Sequence, residues 1–210
     1  MEKTYLSISG ETVTEKIIEK SRFITTSRPV EDEEQAKLFV AQISKKYYDA
    51  THNCYAFICD ERGNFMRFSD DGEPQGTAGM PILEVIKAKN LVKTAVIVTR
   101  YFGGVKLGAG GLVRAYSGCA AENLDRACKV SYELCAESLY TVDYPDADAA
   151  IRFFGTNDCN VENTEYLDRV TFTVAVRKER EEEFDRALVN ALNGRIKKQR
   201  VKEYFYPFKV

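Results

Sequence analysis

Positions 93–102 read KTAVIVTRYF, a nearly unbroken apolar and β-branched run. A strand of this composition has no polar face to turn toward water, so it belongs at the centre of a sheet with both faces buried. The 210 residues, 44% hydrophobic, suffice for one large domain or two small ones with real cores.

Strand and helix signals alternate around that run. ETVTEKIIEKSRFITTSRPV, residues 11–30, is rich in Thr, Ile and Val and breaks near Ser21, as two short strands would. EDEEQAKLFVAQISKKYY crowds acids into its first turn, places apolar residues at 36, 39, 40 and 43, and closes on lysines, which predicts an amphipathic helix with its dipole complemented. HNCYAFICD reads as a strand and ERGN as a turn. A helix is expected over 80–89, with Thr77 as a candidate cap. Another follows in GLVRAYSGCAAENLDRAC, where Leu112, Ala115, Cys119 and Leu124 share a face. After about residue 135, a strand, a helix opening on a proline, a hairpin, a helix ending on a glycine cap and a last strand succeed one another. The order β-α-β-β-α-β predicts a ferredoxin-like split βαβ unit. The expected class is α+β, in two domains over 1–132 and 136–210.

A formal net charge of −2 excludes a protein that coats nucleic acid through bulk charge, so a polyanion site must be a local patch. No run of about 18 apolar residues is present to span a membrane. The start, MEKTYLSISG, lacks the basic-then-apolar pattern of a signal peptide. Six cysteines (Cys54, Cys59, Cys119, Cys128, Cys135, Cys159) sit in apolar patterns without C-x-x-C spacing, and are expected to be reduced, mostly buried thiols of a cytoplasmic protein with no metal or cofactor.

Three stretches carry candidate chemistry. The first is TRYFGGVKLGAGGLVRAYSGC, residues 99–119, with glycines at 103, 104, 108, 110 and 111 and no acidic residue. It holds no Walker A string. The nearest dinucleotide pattern, GAGGLV at 108–113, puts Val113 where the third glycine belongs. What survives is an anion site: amides freed by Gly103, Gly104, Gly108, Gly110 and Gly111 at a helix start, with Arg100, Lys106 and Arg114. The structural alternative is a turn packed tightly beneath the next helix. The second stretch, DDGEPQGTAG at 70–79, offers Asp70, Asp71 and Glu73 either as a functional acidic loop or as ordinary turn chemistry. His52, the single histidine, joins it as a catalytic candidate, against the alternative of a packing histidine; no G-x-S-x-G elbow supports a hydrolase. The third is the final strand, where Lys197, Lys198 and Arg200 precede Tyr204. Basic residues interleaved with aromatics suit single-stranded RNA, and equally a solvated edge strand guarded by lysines.

EKSRFI, THNCYAF, FSDDGEPQGTAGMPIL and VTRYFGGVKLGAGGLVRAY together resemble the IMPACT/YigZ family. The resemblance covers essentially the whole chain. It implies an N-terminal β-α sandwich like domain IV of elongation factor G and one domain of a small-subunit ribosomal protein, followed by a C-terminal domain similar to domain V of that factor. The family's eukaryotic relatives are translation regulators that engage an activator of an amino-acid-starvation kinase and carry an RWD domain, which this chain is expected to lack. The resemblance transfers no catalytic residue. The leading expectation is a non-enzymatic, translation-associated regulator binding RNA or the ribosome through the glycine-rich basic turn and the basic C-terminal sheet. The alternative is a small-molecule enzyme holding a phosphorylated metabolite or nucleotide between the DDGEP loop, His52 and the glycine turn. A regulatory protein partner would require an exposed apolar patch.

Overall fold

A computed structural model describes residues 4–209; Met1–Lys3 and Val210, included in the boundaries expected above, lie outside the described residues. Two compact units are formed mainly by Tyr5–Ser131 and Tyr132–Phe208.

After β1 (Thr4–Ile8), the first unit builds a five-stranded antiparallel sheet of order β2-β3-β6-β4-β5 from β2 (Thr12–Ile18), β3 (Ser21–Pro29), β4 (His52–Ile58), β5 (Met66–Ser69) and β6 (Thr94–Tyr101). As its composition demands, β6 is central, and Thr94 through Arg100 are buried. Its two faces meet different helices. Ala95 and Ile97 pack with Ala36, Phe39 and Ile43 of α1 (Glu33–Lys46). Val96 and Val98 pack with Ile82 and Ile86 of α2 (Gly79–Ala88) and with Leu112, Cys119 and Leu124 of α3 (Gly108–Arg126). Two-face burial thus arises in an antiparallel sheet because helices cover both sides. The charge pattern of α1 is as expected: Asp32 accepts from the Gln35 amide at 2.8 Å, Glu33 and Glu34 open the helix, and Lys45 and Lys46 close it.

The second sheet runs β1-β7-β9-β8, with β10 also paired to β7. The element order is β7 (Lys129–Val142), α4 (Tyr144–Thr156), β8 (Asn160–Tyr166), β9 (Val170–Arg177), α5 (Glu181–Ala191) and β10 (Lys197–Lys209). This is the β-α-β-β-α-β succession read from the sequence. The division between units falls inside β7, which runs unbroken through it. Val170, Phe172, Val174 and Val176 alternate along β9 into a core with Ala150 and Phe154 of α4 and Phe184 and Leu188 of α5. All six cysteines are free thiols and most are buried, as expected: Cys54, Cys59, Cys119 and Cys135 are buried, Cys159 is half-buried and Cys128 is exposed. Among the described residues no helix is long and apolar enough to cross a membrane.

Candidate functional site

The acidic loop joins β5 to α2, and Asp70 organises it. The Asp70 carboxylate accepts the backbone N–H groups of Gly76 (2.8 Å), Ala78 (3.0 Å) and Gly79 (2.8 Å). Burial alone would raise its pKa, but the amides of Gly76, Gly79 and Ala78 outweigh burial and hold the carboxyl below its ordinary value. Asp70 therefore caps α2 from upstream. The expected cap, Thr77, instead donates to the Pro74 carbonyl at 2.6 Å. Gly79 permits the close approach, since a Cβ there would lie 2.6 Å from the Ser69 carbonyl oxygen.

The other two carboxylates are also committed. Asp71 accepts the Asn53 amide at 2.5 Å, while its carbonyl receives the His52 Nδ1 proton at 2.7 Å. Glu73 points inward and is 8% exposed. Its Oε1 accepts from Arg100 Nη1 and from the Tyr116 hydroxyl, both at 2.7 Å. Arg100 Nη2 and the Gly103 amide both reach Ser21 Oγ, each at 3.2 Å. His52 Nε2 stands 3.9 Å from Glu73 Oε2, too far for a hydrogen bond. Burial pushes the Cys54 thiol up to about 12 and raises the Tyr116 hydroxyl as well. Cys54 donates to the Asp70 carbonyl at 2.9 Å, so it stays protonated at neutral pH and supplies no nucleophile.

This cluster is an internal clasp that pins the loop to β4, β6 and α3. It corrects one expectation directly. Arg100, expected on the anion-accepting surface, is 5% exposed and already neutralised by Glu73. An unpaired guanidinium at the end of a buried central strand would be strongly destabilising, and the loop supplies its counter-ion. Neither Tyr116 nor Ser21 stands among the candidate site residues expected from the sequence. Tyr116 falls four positions after Leu112 on the buried face of α3, where a phenol must find a hydrogen-bond partner; Ser21 carries no such signal.

The glycine turn leads from β6 to α3. A Cβ on Gly103 would lie 1.9 Å from the Lys20 carbonyl oxygen, so this residue packs directly against the β2–β3 hairpin. Gly104 (φ 84°) and Gly108 (φ 68°) adopt the left-handed conformations expected of them; Gly110 and Gly111 lie in the first turn of α3. On the facing hairpin, Ile18 pairs with Ser21 and leaves a two-residue loop, Glu19 (φ 44°) and Lys20 (φ 63°). Such a loop favours Asn-Gly, and each non-glycine residue in it costs about 1 kcal/mol.

Between these two turns opens a groove of about 530 Å³. Ile18, Val105, Leu107 and Ala115 supply its apolar lining, Lys106 and Arg114 its cations, and Glu19 its one carboxylate. Lys106 and Arg114 are exposed, and among the described residues neither is held in an ion pair. The first turn of α3 contains no acidic residue, and Leu107 at its start offers no side-chain cap, so the leading amides stay available. His52, Asp70, Asp71 and Glu73 do not line this groove.

The C-terminal strand differs. Lys198 bonds to Glu181 (2.9 Å) and Asp185 (2.5 Å), Arg200 pairs with Glu203 and Glu181, and the Tyr204 hydroxyl donates to Glu162. Lys197 is exposed. The positive charge read from this strand is largely matched by carboxylates of its own unit. Exposed Phe65, Met66 and Phe68 lie at or beside the edge strand β5.

Residues 19–124 match the Impact N-terminal domain, and residues 141–195 match a domain of unknown function, DUF1949. The IMPACT family member YigZ of Escherichia coli is 31% identical over 97% of this chain and 100% of its own. The chain belongs to the IMPACT family. A second IMPACT family member, YvyE of Bacillus subtilis, is 35% identical over 91% of this chain and 88% of its own. Protein IMPACT of the mouse is 36% identical over 42% of this chain and 29% of its own. The crystal structure of a hypothetical protein aligns with a TM-score of 0.62 at 28% identity, covering 96% of this chain and 99% of that one. The Impact N-terminal match takes in the whole clasp and every groove residue named above except Ile18, whereas the strand from Lys197 onward lies beyond the second match.

Proposed function

We propose that this IMPACT family member is a non-enzymatic, cytoplasmic, translation-associated regulator that binds RNA, free or in the ribosome, by holding phosphates in the groove between the Glu19–Lys20 and Gly103–Gly111 turns. One observation carries the reading: Lys106 and Arg114 line the groove held in no ion pair among the described residues, beside a helix start whose amides no side chain caps. The finer architecture belongs to the same proposal. Residues 1–132 form a domain like domain IV of elongation factor G, and residues 136–210 form a ferredoxin-like domain, a reading supported by the strand order β10-β7-β9-β8. Binding of a single-stranded RNA oligonucleotide tests it. Arg114→Glu is expected to weaken affinity at least about tenfold at low salt. Wild-type protein that binds no RNA at low salt would end the reading.

The size of the groove favours a second reading. At about 530 Å³ it falls within the range of single-ligand sites, so a phosphorylated metabolite or nucleotide would fit the same cations. Thermal stabilisation by mononucleotides, without RNA binding, would put this reading first.

A further inference from the structure

We infer that Glu19 accepts a hydrogen bond from the ribose 2′-hydroxyl of the strand held in the groove, and so makes the site select RNA over DNA. The inference rests on the reading of the groove as an RNA-phosphate site. A surface that only gripped phosphates would exclude carboxylates, because each one repels the ligand. Glu19 is nevertheless the one acid that lines this groove together with Lys106 and Arg114, and among the described residues it is held in no ion pair. An ionised carboxylate only accepts hydrogen bonds, so it calls for a ligand donor close to the phosphates. On a nucleic-acid backbone that donor is a ribose hydroxyl, and the 2′-hydroxyl distinguishes RNA from DNA.

Backbone geometry points the same way. Glu19 occupies a left-handed position in a two-residue hairpin loop where asparagine or glycine would sit without strain. Strain of this kind persists where the surrounding structure over-determines it, and functional sites are where it concentrates. Here the hairpin is held by the glycine turn: Gly103 fits against the Lys20 carbonyl so closely that no Cβ could intervene. The hairpin that carries Glu19 is therefore packed against the turn that carries Lys106.

The test compares the full chain binding three oligonucleotides of one sequence: RNA, DNA and 2′-O-methyl RNA, which keeps the oxygen but loses the donor. Wild type is expected to prefer RNA about tenfold over both of the others, the effect of one charge-assisted hydrogen bond. Glu19→Gly, which relieves the left-handed strain, is expected to raise the melting temperature and abolish that preference, with DNA binding kept or tightened. Glu19→Ala should lose the preference without the gain in stability. Equal binding of RNA and DNA by wild type, or a preference that survives in Glu19→Gly, would overturn the inference and leave the phosphate reading standing. If wild type binds none of the three strands, the RNA reading falls and this inference falls with it.

Discussion

Lys106, in the turn between β6 and α3, and Arg114, in α3, are held in no ion pair among the described residues, whereas Lys198 and Arg200 on β10 each contact two carboxylates. In sequence the two segments look alike: basic residues spaced among aromatics or glycines. What separates them is the supply of local acids. The α3 start has none, while α5 opens with Glu181, Glu182 and Glu183 and sends Glu181 to meet β10. A third case, Arg100, lies six residues before Lys106 and has its charge neutralised by the buried Glu73. The number of cations in a stretch thus says little about anion binding until their counter-ions are found.

The largest expected effect comes from breaking the pair that removes Arg100 from the surface. Glu73→Gln leaves a buried guanidinium uncompensated and is expected to cost about 3–5 kcal/mol in chemical denaturation. A loss below about 1 kcal/mol would mean that Arg100 escapes to solvent, and the contrast between Arg100 and Arg114 would dissolve. Next comes the cap. Asp70→Ala removes three charge-assisted bonds to backbone amides and is expected to cost about 2–3 kcal/mol. Because the Asp70 carboxyl is held below its ordinary value, its contribution is complete above the ordinary carboxylate pKa of about 3.9 and is lost as pH falls through the lower folded value. The stability gap between wild type and Asp70→Asn should therefore shrink as pH drops below about 4; a gap constant down to pH 2 would contradict the assignment. The smallest effect concerns the paired strand. Lys198→Gln with Arg200→Gln should change RNA affinity by no more than about twofold, since those charges are already neutralised.

Legibility in the sequence followed the range of the interactions involved. The central position of β6 was plain because Ala95–Val98 leave no polar face, and the ends of α1 were plain because Asp32 and Lys46 act within a turn of where they stand. Thr77 misled because local capping rules consider adjacent residues, while Asp70 reaches α2 from the far end of the loop. Arg100 misled because its partner is 27 positions away and is delivered by the fold. Glu19 showed nothing in sequence, since a strained hairpin loop without glycine or asparagine announces itself only in its φ angles.

The most direct test of the contrast is a salt titration of single-stranded RNA binding, from about 50 to 200 mM, with matched neutralised pairs. Lys106→Gln with Arg114→Gln is expected to weaken binding strongly and flatten the logarithmic salt slope by about 1.4, two phosphate contacts' worth, while Lys198→Gln with Arg200→Gln keeps the wild-type slope. A slope unchanged by the groove pair and flattened by the strand pair would contradict the account.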